Sequence, residues 1–146
     1  MVRGSGFTLI ETMIVLLILS VLAALAYPSY AGHVAKMRRI EGQVALIEAL
    51  QLQERHHALH HTYVAFSAAE PVAGLRWWSG SRAAESAYEL EARACAGGEL
   101  RDCVEVHARP GTANVDASYS DSECGTLTMS STGEQGAGGS SDRCWP

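Results

Sequence analysis

The sequence predicts an α+β chain in which one long N-terminal α-helix, membrane-spanning in its first half, packs on a small antiparallel β-sheet with a disulfide-bounded C-terminal loop. Three observations predict it. A run of 21 residues from Phe7 to Tyr27 is apolar except for Glu11 and small hydroxyl side chains. Apolar residues then recur at intervals of three and four to about residue 60, the period of a helix with one wet face. After residue 86 the period changes to two, and all four cysteines lie in that half.

The first element is long enough to cross a bilayer. At 1.5 Å per residue the Phe7 to Tyr27 helix extends about 31 Å, the thickness of a hydrocarbon core. Within it Glu11 is anomalous, because a carboxylate in an apolar span costs roughly 2.5 to 3.5 kcal/mol on insertion scales. Such an acid calls for a partner. Its place one turn after Phe7 also sets it near the positive end of the helix, where an acid is favoured. A secretory signal peptide is the competing reading, with Arg3 as its basic start and Ala24-Leu25-Ala26 as a small-residue cleavage site. That reading gives no reason for Glu11 to follow a glycine and a phenylalanine. Basic residues flank the span on both sides, Arg3 before it and Lys36, Arg38 and Arg39 after it, and a simple charge count favours the reverse of an exported C-terminal domain.

Gly6-Phe7-Thr8-Leu9-Ile10-Glu11, followed by the apolar run and by Tyr27-Pro28-Ser29-Tyr30, resembles the prepilin leader of the type IV pilin family. The resemblance implies cleavage after Gly6 and methylation of the new amine on Phe7 by a prepilin peptidase/N-methyltransferase. It implies too that Glu11 meets the cationic N-terminus of a neighbouring subunit during assembly, which supplies the missing partner. The expected organisation is a cleaved leader, 1–6, a transmembrane and filament-core helix, 7–28, and a periplasmic or extracellular globular domain, 29–146. Pro28 lacks a backbone donor, so bending or local melting is expected near it, and in the family a proline here marks the stretch that loosens in the filament.

Beyond the span the helix is expected to continue from Ser29 to about His61, with Val34, Met37, Ile40, Val44, Ile47 and Leu50 as its apolar face toward the sheet and Gly32 and Gly42 as points of flexibility. Thr62 to Ser86, broken by Pro71, Gly74 and Gly80, reads as a connecting loop of limited structure, with Trp77 and Trp78 packed against the sheet. Tyr88, Leu90, Ala92 and Ala94 alternate with charged residues, as do Val104, Val106 and Ala108. The segment between them, with Gly97 and Gly98, suits a hairpin turn. A third strand is expected at Gly125 to Ser130, followed by a flexible glycine- and serine-rich loop.

Cys95, Cys103, Cys124 and Cys144 show no metal-binding spacing, so two disulfides in an oxidising compartment are expected. Four cysteines permit three pairings. Joining Cys95 to Cys103 would staple the hairpin, and Cys124 to Cys144 a terminal loop, each contributing about 3 kcal/mol. The C-terminal string Cys124-Gly125-Thr126-Leu127-Thr128-Met129-Ser130-Ser131-Thr132-Gly133, ending in Cys144-Trp145, is similar to minor pilins of the PilE type. Gln51-Leu52-Gln53-Glu54-Arg55 and Thr62-Tyr63 share that similarity, whereas the Cys95 and Cys103 pair departs from it, as do His56 and His57 where aromatic residues are usual.

The implied function is a structural minor subunit of the type IV pilus, taking part in assembly and in motility or adhesion. Its partners would be other pilin subunits, the inner-membrane assembly machinery and, before assembly, inner-membrane lipid. A secretion-system pseudopilin has no support from the disulfide-rich end. The second reading is a competence-type pilin that binds DNA through Arg76, Arg82, Arg101, Arg109 and Arg143, if these cluster; the third is a secreted periplasmic binding domain released after Ala26. The formal charge of −5, or −6 once Arg3 leaves with the leader, disfavours a general nucleic-acid surface. No enzymatic function, cofactor or metal is expected, since no nucleophile stands beside a base in a recognisable setting. The His56/His60 and His57/His61 pairs have ligand spacing but lack HExxH and a third ligand.

Overall fold

The computed structural model describes residues 7–140 and 142–146, with the side chains of residues 28 and 29 outside the description. The expected leader, 1–6, and with it Gly6 of the cleavage pair, lies outside the described residues. Helix α1 spans Leu9–His60, and strands β1 (Tyr88–Ala94), β2 (Val104–Pro110), β3 (Leu127–Ser130) and β4 (Gln135–Ala137) follow. The chain forms two compact units that meet between Lys36 and Met37. In the first, α1 runs through Pro28 without interruption, where the sequence suggested bending or melting.

In the second unit the strands make an antiparallel meander in the order β1-β2-β3-β4. Its buried face carries Tyr88, Leu90 and Ala92 from β1, Val104, Val106 and Ala108 from β2, and Leu127 from β3, as the alternation predicts. The sulphurs pair as Cys95–Cys103 and Cys124–Cys144, with Cα–Cα distances of 5.4 and 5.5 Å.

The helix meets this sheet with a different stripe from the one expected. Met37, Ile40, Val44 and Ile47 are exposed, and of the predicted face in this unit only Leu50 is buried. The buried stripe is Arg39, Gly42, Ala45, Leu46, Ala49, Leu50 and Gln53, which keeps the three-four spacing but is built around small residues. The physical reason is proximity. A Cβ added at Gly42 would lie 2.7 Å from Cδ2 of Tyr88, so the helix backbone rests on that ring. Bulk on the sheet side forces smallness on the helix side, and Gly42 is a packing site instead of a flexible joint.

Two regions expected to be loose are ordered by the sheet. The 62–86 connection lies along the outer edge of β1. Ala92 N–H donates to the Phe66 carbonyl at 2.9 Å and Leu90 N–H to the Trp77 carbonyl at 2.7 Å. This covers an otherwise unpaired strand edge. Gln53, fully buried on α1, grips the same connection twice, donating from Nε2 to the Val64 carbonyl and accepting the Val64 N–H on Oε1 at 2.9 Å. Trp77 packs partly against the core and meets Trp78 edge-on at 5.0 Å between ring centres.

Downstream, the glycine-rich tail contributes a fourth strand, β4, in place of the expected flexible loop. Its composition has little strand propensity, but a Cβ at Gly136 would lie 2.5 Å from Thr128 Oγ1, so the small residue lets β4 pair closely with β3. Trp145 Nε1 then donates to the Gly136 carbonyl at 2.9 Å, holding the strand from the terminus.

Candidate assembly site

At the start of α1, Thr8 and Glu11 form a reciprocal cap. Glu11 N–H donates to Thr8 Oγ1 at 3.3 Å, and Thr8 N–H points back to Glu11 Oε2 at 3.5 Å. This is the S/T-x-x-E capping box, a spacing readable in the sequence but overshadowed there by the anomaly of an acid among apolar residues. Glu11 thus has a weak donor within its own chain, and its carboxylate stays exposed at the helix end, as does Phe7. Thr12 and Ser20 turn their hydroxyls onto the carbonyls of Leu9 and Leu17, both at 2.7 Å, so the polar side chains of the span are satisfied by their own helix.

Every large apolar side chain of this stretch, from Phe7 through Leu25, is exposed in the isolated subunit. A helix apolar on all faces with nothing covering it is stable in water only when something else buries it. Further along, Met37, Ile40, Val44 and Ile47 present a second exposed apolar stripe on the second unit.

Opposite that stripe, α1 is clasped through charge by the segment that leads into the C-terminal disulfide at Cys124. Arg39 makes a fork with Asp121, Nε to Oδ2 and Nη2 to Oδ1 at 2.8 Å each, and Nη2 also reaches Glu123 Oε2 at 2.8 Å. Asp121 further accepts Tyr88 OH at 2.8 Å and the Cys124 N–H at 3.0 Å. Burial pushes the Asp121 carboxyl up, but the Arg39 fork, the Cys124 N–H and the Tyr88 hydroxyl outweigh it and hold the group below the ordinary carboxylate value. Burial, with Tyr119 and Asp121 beside it, pushes the Tyr88 phenol well above its ordinary range. No sequence pattern announced this cluster, because its members are separated by about 80 residues.

The arginines considered for DNA are mostly engaged. Arg76 pairs with Glu48 at 2.6 Å, Arg82 with Glu85 at 2.5 Å, Arg109 with Glu91 at 2.5 Å and Arg143 with Glu123 at 2.7 Å. Arg101 lies exposed in the β1–β2 connection, and Arg109 near the far end of β2, about 17 Å or more along the strand. Arg101 and Arg109 therefore do not stand side by side.

At the C-terminal end of α1, His56 Nδ1 lies 2.9 Å from the Thr62 carbonyl and the rings of His56 and His60 are 4.4 Å apart. His57 stacks on Tyr63 at 4.3 Å and places Nε2 3.0 Å from the Arg101 carbonyl. An open cleft of about 760 Å³ beside them is lined by His57, His60, His61, Glu99 and Arg101, among others. Among the described residues no group of three or more His, Cys, Asp or Glu is placed to hold a metal ion.

Residues 28–128 match the family described as type IV minor pilin ComP, DNA uptake sequence receptor, and residues 1–27 match the prokaryotic N-terminal methylation motif. The chain belongs to the ComP family of type IV minor pilins. It is 46% identical over 48 residues to the type IV major fimbrial protein FimA of Dichelobacter nodosus, a match covering 33% of this chain and 29% of that one. Among solved structures it is similar to a type IV pilin from Shewanella oneidensis, with TM-score 0.47 and 21% identity over 77% of this chain and 98% of that one. It is also similar to the non-core minor pilin PilV of Neisseria meningitidis, with TM-score 0.48 and 17% identity over 75% and 95% of the two chains. In this minor pilin the methylation match leads into a helix long and apolar enough to cross a membrane. The family is one of structural proteins.

Proposed function

We propose that the chain is a minor structural subunit whose N-terminal helix leaves the membrane to become part of a type IV pilus, supporting assembly and pilus-dependent motility or adhesion. The observation that carries this reading is the fully exposed apolar helix with one carboxylate near its start. Lipid covers such a surface before assembly, and other subunits cover it afterwards. Cleavage between Gly6 and Phe7 frees an amine one residue before the capped Thr8, and Glu11 exchanges its loose bond to Thr8 for the methylated amine of a neighbouring subunit, a stronger charge-assisted contact. The division into a leader, 1–6, a span, 7–28, and an exported domain, 29–146, follows from this. The domain is held on the periplasmic side, where the two disulfides persist. Because α1 is helical through Pro28 in the subunit, loosening there belongs to the filament, where the proline leaves one backbone carbonyl without its donor.

Glu11→Val tests the reading. The variant should insert into membrane at least as well as the parent and be lost from sheared pili, scored by mass spectrometry of the purified fibres. Unchanged incorporation removes Glu11 from the assembly step.

The ComP family match favours a second reading, in which this subunit also binds DNA. The four arginine–glutamate pairs must then open or be bypassed, since an arginine already facing a carboxylate attracts phosphate weakly. A gel-shift titration at several salt concentrations decides it. Affinity falling steeply with salt supports DNA binding, and no retarded species at low salt rejects it.

A further inference from the structure

We propose that His56 and His60 form a binding site for a late first-row divalent metal ion, Cu2+ above Zn2+, at the C-terminal end of α1. Spacing alone does not make such a site, but the structure adds three features to it. First, a backbone carbonyl can only accept, so the 2.9 Å contact with Thr62 assigns the His56 proton to Nδ1 and leaves the Nε2 lone pair for a ligand. A hydrogen bond from the far ring nitrogen to a backbone carbonyl is what orients a metal-ligating histidine. Second, the two rings are already 4.4 Å apart, and two imidazoles bound to one ion through about 2.0 Å bonds place their centres about 5 Å apart. His60 is exposed and adjusts by less than its own ring width. Third, the site sits on the last turn of a long helix, whose unpaired carbonyls favour a cation.

The next residue reinforces the placement. His61 holds a left-handed backbone, φ 58°, uncommon for a residue other than glycine or asparagine, and closes the helix with its N–H on the His57 carbonyl at 2.8 Å. The other pair is less suited, because the His57 ring lies flat against Tyr63 at 4.3 Å. With two protein nitrogens, the remaining coordination positions go to water or to a ligand from outside the chain. The order Cu2+ above Zn2+ follows the general affinity series for nitrogen sites.

The test uses the processed full-length chain in detergent, titrated with Cu2+ and read by calorimetry and electron paramagnetic resonance. One ion per chain with two coupled imidazole nitrogens is expected. His60→Gln, which removes an exposed ligand, should weaken binding about tenfold or more with unchanged circular dichroism, while His33→Gln, elsewhere on α1, changes neither. Zn2+ should raise the melting temperature of the parent and not of His60→Gln. The proposal is overturned if no stoichiometric binding occurs, if one nitrogen or none is coupled, or if His57→Gln and His61→Gln abolish binding while His60→Gln keeps it.

Discussion

Replacing Gly42 by alanine sets two opposing effects against each other in one methyl group. In a helix interior alanine is favoured over glycine by about 1 kcal/mol, so at an open position the change stabilises. At Gly42 the new Cβ would stand 2.7, 2.9 and 3.0 Å from Cδ2, Cε2 and Cγ of Tyr88, against ordinary carbon separations of about 3.5 Å or more. Helix or ring must therefore move by about 0.8 Å. The ring has little freedom, because it is fully buried, its hydroxyl donates to Asp121 at 2.8 Å, and its N–H donates to Ser79 Oγ at 3.2 Å. Overpacking of this kind costs about 1–3 kcal/mol, and a tethered ring belongs at the upper end, leaving a net loss of about 1–2 kcal/mol after the helix gain. For a unit of this size the melting temperature should fall by roughly 4 to 10 °C. Urea denaturation followed by circular dichroism, with midpoint and slope both recorded, is the assay, since a shifted midpoint at constant slope isolates stability. In a Tyr88→Leu background the same substitution should be neutral or stabilising. A Gly42→Ala chain that melts higher than the parent refutes the reasoning, because it shows that α1 does not rest on Tyr88.

Two further outcomes follow from the clasp and from the outward stripe. Asp121 titrates lower in the folded chain than its ordinary 3.8, so its contribution is complete above that value and is lost as pH falls through the folded one. Acid denaturation of the parent should steepen below about pH 4. Arg39→Met, which strands a buried carboxylate, should lower stability by about 3–5 kcal/mol at neutral pH and flatten that acid limb, and an unchanged limb discounts the cluster. Val44→Asp, on the exposed stripe, should change stability by no more than about 0.5 kcal/mol while reducing recovery in sheared pili; equal recovery would show that this stripe faces no other subunit.

How much was legible in the sequence differs from element to element for physical reasons. The span, the alternating strands β1 and β2 and the cysteine count are signals of local composition and period, and period survives any later packing. The capping box at Thr8 and Glu11 was legible too, as a spacing. The helix face was not, because α1 in its second half carries apolar residues on more than one stripe: Val44 and Ile47 at one angle, Ala45, Leu46 and Ala49 at another. Hydrophobicity chose the bulkier stripe, and the sheet chose the smaller one. Strand β4 escaped for a related reason, since Gln-Gly-Ala has no propensity of its own and is a strand only because Thr128 and Trp145 hold it.

By itself the amino-acid order determined that one carboxylate stands near the start of an otherwise apolar helix, that a disulfide-bearing half follows, and that the halves have different periods. These are properties of neighbouring residues, and no folding changes them. Tertiary structure alone decided which side of α1 is buried and that Arg39 meets Asp121. It also decided that His56 turns one nitrogen to Thr62 and leaves the other for a ligand. The first two depend on how closely distant backbones approach, a quantity set by packing across the sheet, and the third on how the chain turns as it leaves the helix at His61.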